Sequence, residues 1–165
     1  MINIKQYPDP ILREQMPVFD FSNPPMDPLQ LEKLMLQCLY KSGGIGLSAN
    51  QLGIRANVFV MGHYEDPESG MAFFNPEVLE TSSDMTDMEE GCLSFAGVFV
   101  KIKRPSKIKA RWQNAQGEIM EGVFEDYECN CFLHELDHLC GITMRDRVSA
   151  LRWDMAIKKS KRKKY

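Results

Sequence analysis

The sequence predicts an α+β domain, and three observations carry that expectation. An amphipathic helix follows a proline-rich start, and the middle of the chain alternates apolar and polar residues at strand period. A second helix, apolar on several sides, comes after the strands. Helix, strands and helix in that order lack the regular alternation that builds a parallel βαβ sheet.

The elements follow from local chemistry. Pro8, Pro10, Pro17, Pro24, Pro25 and Pro28 leave the opening as irregular chain that wraps the core. Asp27 caps a helix with Pro28 at its first position. Leu31, Leu34, Met35, Cys38 and Leu39 share one face, and Gly43 and Gly44 end it. Residues 57–61 are apolar and β-branched enough for a buried strand, and 71–74 read as another. Residues 107–113 alternate strictly, burying Ile108, Ala110 and Trp112. Asn114-Ala115-Gln116-Gly117 is turn chemistry, and 118–124 return as the hairpin partner. The second helix runs over about 127–139 and stops at Gly141. Tyr127, Cys131, His134 and His138 share one face, with Phe132, Leu136 and Leu139 on another, so this helix is expected to be buried.

Composition narrows the class. A chain of 165 residues suits one domain with its own core. It is 44% hydrophobic and 26% charged, the balance of an ordinary globule rather than a disordered chain. No apolar run approaches the ~18 residues that span a bilayer, and the opening lacks the pattern of a signal peptide. Five cysteines form no regular framework, which argues for reduced thiols in a cytosol-like compartment. The net charge of −3 conceals an asymmetry: residues 158–165 carry six positive charges and no acid. The remaining 157 residues hold 14 basic and 23 acidic groups, or −9. The organisation expected is therefore one domain over residues 1–157 and a basic tail over 158–165. That tail reads as a solvated, frayed terminus or as a contact for ribosomal or other RNA phosphates.

The strongest chemical signal is His134-Glu135-Leu136-Asp137-His138. Two histidines four apart on a helix project from one face and clamp one metal, with Glu135 beside them able to reach a water without being a ligand. The third ligand is not given by this pattern. Met144 stands where one protease class has a histidine, and no glutamate follows His138. Asp146, Asp154 and the remaining histidine, His63, stay possible. Scarce downstream ligands favour a cysteine from before the helix, and Cys92 in Glu90-Gly91-Cys92-Leu93-Ser94 is the choice, against simple burial. Cys38, Cys129 and Cys140 read as packing residues, whereas Cys131 lies one turn before His134 and lines the pocket. Gly44-Ile45-Gly46-Leu47-Ser48-Ala49-Asn50-Gln51 reads alone as a helix-ending turn or as chain passing close to a ligand.

Together these three segments resemble the peptide deformylases, whose motifs G-x-G-L-[AS]-A-x-Q, E-G-C-L-S and H-E-x-x-H occur in this order. The resemblance runs from Tyr7-Pro-Asp-Pro-Ile-Leu-Arg13 to about Arg147. It implies antiparallel sheets packed around a central helix that carries the HELDH segment. It also implies one divalent metal on Cys92, His134 and His138 with a fourth position open to water, ferrous iron by family habit and zinc, nickel or cobalt as alternatives. Glu135 would move the proton from water to the departing amine. The Gln51 amide and the Leu93 N–H would help hold the oxyanion. Gly46, Ile45, Glu90 and Cys131 would meet an N-formylmethionyl peptide lying like an added strand, from which formate leaves. The partners implied are nascent chains and, through the tail, the ribosome, with no membrane, in a bacterial cytoplasm or a host cytoplasm for a phage-borne enzyme.

Four departures stand out. Phe95-Ala96-Gly97 replaces a common proline and glycine after the second motif, so Ala96 restores an N–H and loosens φ. Leu133 replaces a common glutamine before His134, substituting packing for a hydrogen-bonding group near the metal. Ser48 stands for alanine, and the long C-terminal helix of the family is expected to be abbreviated into the tail.

Overall fold

The computed structural model describes residues 3–63 and 65–162. Helix α1 spans Pro28–Ser42, with the Asp27 side chain accepting from the Gln30 N–H at 2.9 Å and Gly43 ending it at φ 66°. The strands are β1 (Gly46–Ser48), β2 (Val58–His63), β3 (Asp66–Thr81), β4 (Met85–Cys92), β5 (Phe95–Pro105), β6 (Lys107–Gln113) and β7 (Ile119–Glu125). Helix α2 spans Asp126–Leu139 and α3 spans Ala150–Arg162. β1, β2, β3, β6 and β7 form one antiparallel sheet in that order, while β4 and β5 pair as a separate hairpin.

The five-stranded sheet is covered on both faces at its centre, and the period of two divides its side chains. Val58, Val60, Ala72 and Phe74 pack with Leu31, Met35 and Leu39 of α1. Phe59, Phe73, Ile108, Ala110 and Trp112 pack with Phe132 and Leu139 of α2. Double coverage explains why 57–61 reads as a continuous apolar run, whereas β6, covered on one face, alternates cleanly. The β4–β5 hairpin buries Phe95, Val100 and Ile102 against Met144 and Trp153, which brings α3 onto β5.

Several expectations need correction. The stretch read as 71–74 belongs to a sixteen-residue strand, and His63 ends a strand rather than sitting in a loop. Cys140 is exposed rather than packed. Leu34 and Cys38 are only half-buried on α1. Residues 158–162 continue α3 instead of fraying, because Trp153, Ala156 and Ile157 anchor the helix on β5. Residues 163–165 lie outside the described chain.

The Phe59, Phe73 and Phe132 rings meet with centroids 4.9–5.4 Å apart, at the junction of sheet and α2. Phe132→Ala is expected to destabilise the fold by about 3–5 kcal/mol through lost burial and a residual cavity. The urea midpoint should fall with an unchanged m-value.

Candidate active site

Three elements converge on one cleft of about 500 Å³. Residues 43–46, leading into β1, form one wall, and the end of β4 with the start of β5 forms the other. Tyr127, Asn130, Cys131, His134 and Glu135 of α2 make its floor. The sheet drives this arrangement. β1 is its edge strand, and α2 runs beneath it with its polar stripe turned toward the β4–β5 hairpin.

Cys92, His134 and His138 bring one ligand atom each to within 4.8 Å of one another, and Cys92 Sγ lies 3.2 Å from His138 Nε2. His63, Asp146 and Asp154 are not in this group. Asp146 instead caps a turn through Thr143 and pairs with Arg13 at 2.6 Å. His134 turns Nδ1 toward Glu90 Oε2 at 2.8 Å, which as a donated N–H leaves Nε2 as a lone pair. Burial holds His138 well below the usual imidazole range, keeping it neutral. Burial also disfavours charge on His134, but hydrogen bonds to Cys92 and Glu90 raise its pKa well above the ordinary value, so a bound metal would take the place of the proton on Nε2. Among the described residues, the buried side-chain polar atoms without a partner are Asn50 Oδ1, Glu135 Oε2 and His138 Nδ1. Two of these three belong to the HELDH segment. A thiol, two imidazoles and an unpaired carboxylate oxygen fit a borderline divalent metal that leaves a position for water.

Glu135 is 4% exposed, and burial pushes its carboxyl up to about 7. A carboxyl with that value exchanges protons near neutral pH. Gly46 faces it so closely that a Cβ there would lie 2.5 Å from Glu135 Oε1 and 2.9 Å from Cys131 Sγ, so any other residue would displace the acid.

Gln51 is fixed at both ends of its amide. Its Oε1 accepts from the Ser48 N–H at 2.9 Å and from the Ser48 hydroxyl at 3.0 Å. Its Nε2 donates to Ser94 Oγ at 3.0 Å and lies 3.6 Å from Cys92 Sγ. Ser48 is thus a positioning residue whose hydroxyl an alanine would not supply. Cys92 and Phe95 pair across the hairpin, leaving Leu93 and Ser94 as its two-residue turn. Among the described residues the Leu93 N–H donates to no backbone acceptor, while its carbonyl and that of Ser94 accept from Gln6 Nε2 at 2.8 Å and the Tyr7 N–H at 3.0 Å. The opening segment therefore straps the turn in place.

Ile45 passes its carbonyl to the Gly62 N–H at 3.0 Å, on the side of β2. Successive residues of a strand alternate, so the N–H and C=O of Gly46 point the other way, into the cleft. Glu90 also borders the cleft, and its carboxylate is fully engaged by its surroundings. Arg104 donates to it twice, at 2.6 and 3.0 Å, and Asn130 and His134 take the remaining positions at 2.8 Å. Burial opposes the Glu90 charge, yet these contacts hold its pKa at about 2. Glu90 therefore supports His134 from behind. Arg104 continues to Asp137 Oδ2 at 2.9 Å, and Arg147 closes on Asp137 from outside.

Arg104 and Asn130 escaped the sequence reading, and Asp137 and Ser94 entered it only as members of their motifs, with no role assigned. Residues 95–105 carry a signal for Arg104, because Val100, Ile102 and Arg104 fall on one buried face at period two. Leu133, the departure before His134, is partly buried against the α2 core, and Ala96 is exposed at the rim of the cleft.

Comparison with known proteins agrees with this geometry. Residues 1–153 match the family model for polypeptide deformylase. The peptide deformylase of Thermotoga petrophila is 41% identical over 153 residues, covering 90% of this chain and 88% of that protein. The crystal structure of peptide deformylase from Thermotoga maritima superposes with a TM-score of 0.81 at 38% identity, covering 90% of this chain and 98% of that one. That of the Synechococcus elongatus enzyme in complex with actinonin gives 0.89 at 29% identity, covering 97% and 88%.

Arg104→Met removes the shared partner of two buried carboxylates. Loss of about 3–5 kcal/mol of stability is expected, together with a roughly 10–100-fold weaker hold on metal. Urea unfolding and competition with a chelator measure the two separately.

Proposed function

The chain belongs to the polypeptide deformylase family, and from that premise we propose how its residues carry out the family's reaction. The enzyme removes the formyl group from the N-terminal formylmethionine of newly made polypeptides, a metal-dependent hydrolysis. Cys92, His134 and His138 hold the metal, and the gathering of their three ligand atoms is the observation that carries this reading. Ferrous iron is the ion proposed, on the habit of the family; zinc, nickel or cobalt suits the same donors. When bound, the metal supplies Lewis acidity toward the formyl carbonyl and makes water a stronger acid.

The protein's own groups divide the remaining tasks. The substrate lies extended against the free edge of β1, where Gly46 offers its carbonyl and N–H. The methionine side chain points toward Ile45, Cys131 and the floor of the cleft. Glu135 accepts a proton from the attacking water and delivers it to the departing amine. Its buried carboxyl is matched to that exchange near neutral pH. As the carbonyl oxygen gains charge, the Gln51 Nε2–H and the Leu93 N–H donate to it. Both donors are held before substrate arrives, Gln51 by Ser48 and Ser94 and the Leu93 turn by Gln6. Formate departs and the chain keeps a free amine.

Residues 1–157 form the catalytic domain in this reading, and 158–165 dock on ribosomal RNA. Six positive charges without an acid support the second statement. The site of action is the cytoplasm, where nascent chains emerge, and no described helix is long and apolar enough to cross a membrane.

Glu135→Gln is expected to lower formate release from formyl-Met-Ala-Ser by about 10²–10⁴-fold while metal content stays stoichiometric. Cys92→Ala should lose metal. Wild-type turnover by the Glu135→Gln enzyme would show that the proton is carried elsewhere. Deleting 158–165 is expected to weaken ribosome cosedimentation and flatten its salt dependence, with turnover of the free tripeptide unchanged.

A further inference from the structure

The cleft is open at its outer end. Gly97, Phe99 and Glu89, which border it, also border a small depression shared with Ala156, Lys159 and Ser160 of α3. Phe99 then lines a larger hollow of about 550 Å³ between β5 and α3. One path thus leads from the metal ligands across the Phe99 ring to the last helix. Its floor is apolar: Val100, Val148, the half-exposed Phe99 ring and the thioether of Met155.

Its rim is cationic. Lys101, Arg152, Lys158, Lys159 and Arg162 all line the hollow, and no acidic residue does. None of these five side chains makes an ion pair or hydrogen bond among the described residues, although Lys101 stands opposite Glu89 across the β4–β5 pair. Elsewhere on the surface Arg13, Arg55, Lys107 and Arg111 are paired with acids. Five unpaired like charges around one hollow repel each other, and an anionic occupant relieves that repulsion.

Acidic peptide and nucleic acid share that chemistry, and at the hollow the observations favour the peptide, leaving ribosomal RNA to the basic residues of the tail outside it. The path begins where the formylated chain is held, its floor is apolar, and one aromatic ring is too few to stack successive bases. Phe99 pairs with Gly91, next to the ligand Cys92, and Lys101 stands two residues further, about 7 Å along β5. An extended chain advances about 3.3 Å per residue, so side chains from about the fourth residue onward come within reach.

We propose that the hollow between β5 and α3 is a downstream substrate subsite, which draws in polypeptides carrying acidic residues a few positions after the formylmethionine. The proposal rests on the cleft holding substrate as described above, with the chain leaving past Phe99.

The test compares formate release by the iron-loaded enzyme from formyl-Met-Ala-Ser, bare or extended by Gly-Ser-Gly-Ser or Asp-Glu-Asp-Glu. At low salt the acidic extension is expected to raise kcat/KM about fivefold over the neutral one, through KM, and the advantage should vanish near ~0.3 M salt. The double variant Lys101→Glu/Arg152→Glu should lose it too, while turning over the bare tripeptide at the wild-type rate. Equal kcat/KM for both extensions, or an acidic preference that survives the charge reversal, overturns the proposal. So does a double variant that loses binding of a single-stranded RNA oligomer while both extensions react alike. Fluorescence anisotropy of labelled, unformylated Met-Ala-Ser-Asp-Glu-Asp-Glu reads the hollow without chemistry. Failure to hydrolyse the bare tripeptide would count against the catalytic reading, while salt-sensitive binding of this peptide would still report the subsite.

Discussion

The Arg104 guanidinium, buried between Glu90 and Asp137, is the contact on which the rest of the site depends. β5 carries it, β4 carries Glu90, and α2 carries Asp137, so one side chain fastens the separate hairpin to the central helix. The same hairpin ends in Cys92, and the same helix carries both histidines. A buried arginine without partners would cost more than folding can offset, and each carboxylate alone would be no better. Satisfied together, they fix one register between hairpin and helix. That register sets the distance between thiol and imidazoles.

Orientation then propagates outward along hydrogen bonds. Glu90, held ionised, fixes the proton of His134 on Nδ1 and aims the opposite nitrogen at the ligand cluster. Ser48 and Ser94 do the same for Gln51, one holding its carbonyl and the other its amide N–H. The irregular opening segment contributes through Gln6 and Tyr7, which brace the Leu93–Ser94 turn. In the proposed reaction these groups act from behind, without touching substrate. They hold donors in place before charge develops, which is where electrostatic catalysis gains its advantage over water.

In the proposed reading the sheet edge supplies the substrate geometry. An unpaired edge strand invites any extended chain, and β1 is short and recessed beside α2, so the invitation is confined to the cleft. Gly46 leaves Glu135 a space that a single extra carbon would fill. Beyond the cleft, α3 is more than a trailing helix. Trp153 packs it on β5, and its cations line the hollow proposed to receive the downstream part of a substrate.

The three motifs, both helices around the core and the β6–β7 hairpin were legible in the sequence, because each depends on periodicity or on residues near in the chain. A histidine pair on a helix, an aspartate cap before a proline, and alternation in 107–113 are local facts. The β4–β5 hairpin was not legible, since its strands are charged on the exposed face and its buried residues meet α3 rather than the main sheet. Arg104 was hidden for a related reason: its partners lie 14 and 33 positions away, and an isolated arginine reads as surface. The place of Glu90 was likewise set by contacts no spacing reveals. The sequence by itself therefore determined the family and named the candidate groups, three of which the fold brings together. Tertiary structure alone decided how they are held, because hydrogen-bond direction and burial come from chain segments brought together only by folding.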